Sequence, residues 1–326
     1  MKKLSIILPA YNEEGMVNRA FEQVNNILSN NSISFEIIFV NDGSTDDTWL
    51  EILEVSKEHR NVKGVNFSRN FGKEAAIRAG LYYASGDCAV VMDCDMQHPP
   101  ETILEMYDLW VQGYQIVEGV KISRGKENII NKISSKLFYQ VLKKITGFKI
   151  DRSSDFKLLD RQVIEEYLHL PEKKMFFRAI TFWMGFNSIE IEYEVREREI
   201  GTSKWSMMSL IKYAFNNITS FSTAPMQIIT IIGVVNLILS LVLGIQSLIN
   251  YIKGYSLEGF TTVILLLLLI GSSLMISLGI IGFYLSKIYE EVKGRPSYIV
   301  SNVAAYTKPH EKDKVSKENE EYFSNI

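Results

Sequence analysis

Phe35-Glu36-Ile37-Ile38-Phe39-Val40-Asn41-Asp42-Gly43-Ser44-Thr45-Asp46-Asp47-Thr48 begins as a β-rich apolar run and breaks into a polar loop; Trp49, Ile52, Leu53 and Ser56 then follow at helical spacing. The stretch reads as strand, loop, helix. On its N-terminal side Leu4-Ser5-Ile6-Ile7-Leu8 is another such strand, followed by Val17, Phe21, Val24 and Leu28 on one helix face, with Met16, Ala20 and Ile27 widening the stripe. On its C-terminal side Val62 to Phe67 and Cys88 to Met92 are strands, with a helix over Ala75 to Tyr83 between them. Strand and helix in alternation imply right-handed crossovers and a mostly parallel sheet covered by helices. The fold class is α/β. Gln115 to Val120 and the alternating Ile189, Ile191, Tyr193 and Val195 read as further strands, and Asn128 to Thr146 as a helix.

In sheets of this kind ligands sit beyond the carboxyl ends of the strands, and the polar motifs of this chain fall there. After Ala89-Val90-Val91-Met92 comes Asp93-Cys94-Asp95-Met96-Gln97. In an extended chain alternate side chains share a face, so Asp93, Asp95 and Gln97 could offer oxygens to one hard divalent cation, which in turn could carry a diphosphate. The alternative is that the acidic residues only turn the chain and cap a helix starting at His98-Pro99-Pro100-Glu101. Pro9-Ala10-Tyr11-Asn12-Glu13 follows the first strand, and Ser44 with Asp47 after the second has the spacing of a capping box. Three strands that end in acidic residues would still gather repelling charge in one cleft without a cation.

The 326-residue chain is 47% hydrophobic with a formal net charge of −3, long enough for one sizeable domain and more, and it gives no reason to expect nucleic acid as a partner. Its apolar residues are unevenly spread. No charged residue lies between Lys212 and Lys253 or between Glu258 and Lys287, and each interval holds enough apolar chain to cross a bilayer as helix, near 228–249 and 260–285. Lys287, Lys293, Arg295 and Lys308 follow the second span, whereas the loop between the spans is short and nearly uncharged; the positive-inside rule then puts the N-terminal region and both termini in the cytoplasm. No secretory signal is evident, and Cys88 and Cys94, the only cysteines, suggest neither a disulfide framework nor zinc. The expected order is an α/β domain over 1–205, an amphipathic helix on the membrane surface over 206–224, two transmembrane helices over 225–287 and a cytoplasmic tail over 288–326, disordered in part.

Pro9 to Glu13, Val40 to Asp46, Arg69-Asn70-Phe71-Gly72-Lys73-Glu74-Ala75-Ala76 and Asp93-x-Asp95-x-Gln97-His98-Pro99 together resemble the inverting family 2 glycosyltransferases of GT-A fold. Ser154-Asp155-Phe156-Lys157-Leu158-Leu159-Asp160-Arg161, then Arg198-Glu199-Ile200-Gly201-Thr202-Ser203-Lys204-Trp205, then two spans, narrow the resemblance to the polyprenyl-phosphate branch: dolichol-phosphate-mannose synthase-like enzymes and the bacterial GtrB type. It covers roughly residues 1–300 in ordered blocks.

The resemblance implies that Pro9, Tyr11, Glu13, Val40 and Asp42 cradle the base and ribose of a nucleotide donor. Tyr11 can stack on a base, and Glu13 and Asp42 can accept hydrogen bonds. Asp93, Asp95 and Gln97 would hold Mg²⁺ or Mn²⁺ and the diphosphate, with Cys94 between the carboxylates in the same donor loop. Lys121 and Arg124 would contact phosphate; Lys121 stands where the family often has Arg, so bidentate contact is lost there. Arg198, Ser203 and Lys204 would meet the phosphate of the lipid acceptor. Asp155 and Asp95 are the catalytic candidates, Asp155 as base or, because a phosphate monoester is already mostly ionised, as a residue that orients the acceptor. The implied activity is inverting transfer of one sugar from a nucleotide diphosphate, expected to be UDP-glucose or another UDP-hexose, to undecaprenyl phosphate at the cytoplasmic membrane face. Relatives of this type are often oligomeric, though no residue here marks an interface. A processive polysaccharide synthase is disfavoured because the chain lacks a Gln-x-x-Arg-Trp block, and a non-catalytic scaffold because the acidic motifs are intact.

Overall fold

A computed structural model describes residues 2–122, 154–172, 176–194, 224–254 and 260–306. The chain divides into two units. Among the described residues the first is one eight-stranded sheet with helices, and the second holds two long helices.

The sheet begins as the alternation requires. β1 (Lys3–Ala10), α1 (Val17–Asn30), β2 (Ser34–Asn41), α2 (Thr48–Glu58), β3 (Val62–Phe67), α3 (Lys73–Tyr83) and β4 (Cys88–Val91) follow one another, and β4-β1-β2-β3 lie side by side in parallel. β1 reads as nearly continuous apolar chain because helices cover both its faces. Leu4, Ile6 and Leu8 pack in a core with Val17, Phe21, Val24 and Leu28 of α1 and Ile52 and Val55 of α2. On the opposite face Ile7 sits directly against Gly80 of α3, where a Cβ would strike the Ile7 side chain.

Beyond β4 the alternation stops. After α4 (Thr102–Val111) comes β5 (Ile116–Lys121), and β6 (Lys157–Asp160) inserts between β4 and β5, antiparallel to both. α5 (Arg161–His169) and α6 (Phe177–Trp183) follow, and β7 (Ser188–Tyr193) pairs in parallel with β5 at the sheet edge. The full order is β7-β5-β6-β4-β1-β2-β3-β8.

β8 is Val300–Ala305, which lies in the stretch expected to be a cytoplasmic tail. It pairs antiparallel with β3, Val65 opposite Val303, so the first unit takes chain from both before and after the second. Edge pairing of this kind is made by backbone groups and leaves little side-chain signature, which is why the sequence gives no notice of it.

The second unit contains α7 (Ala224–Ile252) and α8 (Phe260–Val292). Segments Ile229–Asn250 and Leu266–Val292 are each long and apolar enough to cross a membrane, close to the expected spans, and none of their length is buried. Asn236 Nδ2 donates to Ser273 Oγ at 2.9 Å, a polar tie between the two helices. The helix expected over Asn128 to Thr146, the surface segment 206–223 and the chain beyond Tyr306 lie outside the described residues.

Candidate active site

The carboxyl ends of β1, β2 and β3 are stitched to one another by their own loops. Asn12, at φ 53°, donates its N–H to Ser44 Oγ at 3.0 Å, and its side-chain oxygen accepts the N–H of Thr45 at 2.9 Å. Ser44 also donates to Asn41 Oδ1, so the hydroxyl expected in a capping box is spent between loops, and Asp46, not Ser44, receives the Thr48 N–H at 3.1 Å. Glu13 N–H reaches Thr48 Oγ1 at 2.9 Å. Gly43 (φ 65°) lies against the backbone of Arg69 and Asn70 with no room for a Cβ.

Among the residues expected to cradle a nucleotide, Tyr11 is 47% exposed at the end of β1 and Glu13 is half-buried, while Val40 lies wholly in the core. Pro9 pairs with Val40 across β1 and β2. Asp42 is buried, and its carboxylate accepts the N–H groups of Phe71 (2.7 Å) and Gly72 (2.9 Å). Burial raises its pKa against the pull of those bonds. Asp42 therefore anchors the loop that opens α3. Gly72 begins that helix at φ 99°, a conformation closed to most side chains.

The acidic stretch 93–97 is not the extended segment the sequence reading supposes. β4 ends at Val91, the chain turns at Cys94 and Asp95, Met96 takes φ 56°, and Asp95 Oδ1 accepts the N–H of Gln97 at 3.2 Å. Alternation of side chains thus does not bring Asp93, Asp95 and Gln97 to one face; the turn sets where they stand. Cys94 is 1% exposed in the core, so its side chain is closed to a ligand. His98 is also buried: its Nδ1 accepts the Asp93 N–H at 3.2 Å and its ring stacks on Phe156 at 4.9 Å. Burial lowers its pKa to about 4, which keeps the imidazole neutral.

The antiparallel insertion of β6 decides what faces Asp93. Lys157, its first residue, pairs with Val91, the last of β4, so Asp155 stands beyond the carboxyl end of β4 although it lies 62 positions after Asp93 in the chain. Lys73 Nζ bridges them, 2.5 Å from Asp93 Oδ1 and 2.7 Å from Asp155 Oδ2. Arg178 of α6 grips Asp155 with both limbs, Nε to Oδ1 at 2.7 Å and the NH2 nitrogen to Oδ2 at 2.9 Å. Burial alone would raise Asp155, but Lys73 and Arg178 hold it well below the usual carboxylate range; Asp93 is lowered in the same way, chiefly by Lys73. The two acids in turn raise the Lys73 ammonium. Next to it Glu74 accepts the Phe177 N–H at 3.0 Å, and burial, with Asp155 near, lifts its carboxyl to about 8.

Lys73, Glu74 and Arg178 are the members that sequence reasoning passes over. A lysine at the first position of a helix faces the positive end of the dipole, an unfavourable placement that was the available signal for Lys73. Arg178 carries no such mark. Lys121 ends β5, half-buried. Arg124, Arg198, Ser203 and Lys204 lie outside the described residues.

Among the described residues no three acidic, histidine or cysteine side chains form a metal cage. Two carboxylates and an amide on one turn nevertheless suit Mg²⁺ or Mn²⁺, because these ions are commonly bound by one or two protein carboxylates, the remaining positions going to water and substrate phosphates.

The model of glycosyl transferase family 2 matches residues 5–168. A glycosyltransferase of Synechocystis sp. is 37% identical over 303 residues, 92% of this chain and 95% of its own length. The SfII prophage-derived bactoprenol glucosyl transferase of Shigella flexneri is 34% identical over 300 residues, 91% of this chain and 97% of its own. A prophage bactoprenol glucosyl transferase homolog of Escherichia coli is 33% identical over 303 residues. Glucosyl-3-phosphoglycerate synthase of Mycobacterium tuberculosis, solved with Mn²⁺ and UDP-glucose, overlaps 67% of this chain and 77% of its own at 18% identity and TM-score 0.48, too loose a likeness to transfer a ligand.

Proposed function

The chain belongs to glycosyl transferase family 2, and on that premise we propose that it moves one hexose, glucose first among the candidates, from UDP to a polyprenyl phosphate at the cytoplasmic membrane face. The enzyme class follows from the family; the donor, the acceptor and the membrane face are our reading. The observation that carries it is the meeting of Asp93, on the turn expected to face the donor, with Asp155 across a single ammonium 2.5 and 2.7 Å away. The relatives named for bactoprenol glucosyl transfer supply the acceptor class.

In this reading Tyr11, Glu13 and the loop anchored by Asp42 receive the nucleotide, and Asp93, Asp95 and Gln97 would hold Mg²⁺ or Mn²⁺. Such an ion, when bound, neutralises charge that grows on the departing diphosphate. A phosphate oxygen of the acceptor attacks the anomeric carbon, the bond from that carbon to the diphosphate oxygen breaks, UDP leaves with the electron pair, and the configuration inverts. No proton has to be removed, since a phosphate monoester with second pKa of about 6 is largely ionised at neutral pH. Asp155 fits this economy. Held low by two cations, it is a poor base, and its service is to orient and to balance charge.

Membrane anchoring is supported by α7 and α8, and β8 supports one shared side for the chain before and after them. Because β3 and β8 pair in one sheet, a chain that crosses the bilayer in α7 must return in α8. Lys287, Lys293 and Arg295 near the exit favour the cytoplasm. The test is direct: purified protein, Mg²⁺ or Mn²⁺, undecaprenyl phosphate and a panel of radiolabelled nucleotide sugars. Formation of a β-linked glucolipid from UDP-α-glucose is expected; no glycolipid from any donor would overturn the proposal. Asp95→Asn should cut turnover by about 10²-fold or more while the protein still inserts, an outcome a scaffold would not share.

A further inference from the structure

We propose that Arg178 is a positioning residue for this transfer: held on α6 from both ends, its guanidinium sets the plane of the Asp155 carboxylate toward the incoming phosphate. The inference rests on the reading of Asp155 given above. Among the described residues two cations touch Asp155, and they do different things. Lys73 is a point charge shared with Asp93 and lets the carboxylate rotate about its own axis. Arg178 meets both oxygens at 2.7 and 2.9 Å, and a planar fork on a planar acceptor fixes orientation as well as charge.

Such a fork is useful only if its backbone does not move, and α6 has only seven residues, too few to hold itself. Two ties, one half-buried and one buried, supply what the helix lacks. Glu74 of α3 accepts the N–H of Phe177, its first residue, at 3.0 Å. One turn on, Thr181 Oγ1 accepts from Lys157 Nζ at 2.9 Å, and that ammonium also pairs with Glu118 of β5 at 3.2 Å. Lys157 and Thr181 are each 1% exposed. A lysine buried this deeply is costly unless its partners are well placed. Burial lowers its pKa, and Glu118 opposes that. The tie is thus an expensive one, and what it fixes is the turn of helix that carries Arg178.

The experiment is a double-mutant cycle on the full-length enzyme in lipid nanodiscs, with Asp155→Asn, Arg178→Met and both together, reading kcat, the KM for the donor, donor affinity by calorimetry and thermal stability. Each single change is expected to lower kcat about 10²-fold, the scale of a small misplacement of a reacting group, with donor affinity within about twofold of the parent. Because Arg178 works through Asp155, the double variant is expected to be no slower than Asp155→Asn by more than about twofold. Multiplying losses in the double variant, or near-parent kcat for Arg178→Met, overturns the inference while leaving Asp155 in its role. An active Asp155→Asn overturns the reading beneath it instead. Should Arg178→Met fail to fold, Arg178→Lys, which keeps the charge and loses the fork, enters the same cycle with the same expected pattern.

Discussion

Lys73 faces two ways, toward Asp93 on the turn proposed to meet the donor and toward Asp155, proposed to orient the acceptor. Lys73→Met is therefore expected to weaken donor binding and to lower kcat together, by about tenfold or more each, as calorimetry and initial rates would show. Unchanged donor affinity would detach Lys73 from the donor side. A second residue-scale prediction concerns Gly43. Its φ of 65° and its contact with the Arg69 and Asn70 backbone leave no space for a methyl group, so Gly43→Ala is expected to destabilise the fold by about 1–3 kcal/mol, read from chemical denaturation. Both residues stand in stretches whose polar character was plain from the sequence. Their particular duties were not, because a duty depends on which backbone or carboxylate the fold brings alongside.

At the scale of elements, the opposite end of the sheet is tied by a buried acid. Glu36 of β2 accepts from Lys3 Nζ (2.9 Å), Ser5 Oγ (2.7 Å) and the Ser85 N–H (2.6 Å), joining β1, β2 and the chain that enters β4. Burial would raise its carboxyl, but these bonds overrule it and hold it at about 2. A carboxyl lower in the folded than in the unfolded chain stabilises above its unfolded pKa, near 4.3, and that stabilisation disappears as the pH falls toward 2. It is on the order of 3 kcal/mol. Urea midpoints should accordingly drop between pH 6 and pH 3 by more in the parent than in Glu36→Gln, which has no such group to protonate. An equal drop in both would assign the acid sensitivity elsewhere. Elements α1 and α2 needed no such long-range information: Val17, Phe21, Val24 and Leu28 of α1 and Ile52 and Ser56 of α2 recur at helical spacing and are the residues that the helices bury.

Over the whole molecule, the pairing of β3 with β8 makes a statement about topology that charge counting only suggests. Cysteines placed at exposed Lys57 and Asn302 should react with an impermeant thiol reagent from the same side of the membrane, and one placed at Lys253, between the apolar helices, from the other. Labelling of positions 57 and 302 from opposite sides would contradict the pairing. The strands of the parallel half, the helices between them, the apolar pair and the acidic loops were all determined by the sequence itself. Each is a local pattern, a period of two or of 3.6 residues or an uncharged run, and such patterns survive without knowledge of neighbours. The tertiary structure alone decided that β6 enters antiparallel and sets Asp155 before Asp93, that Arg178 reaches Asp155, and that β8 returns to the edge of β3. Those outcomes rest on backbone hydrogen bonds and ion pairs between residues far apart in the chain, and any strand edge or charged side chain can offer such a partner; only closure of the fold selects which one is used.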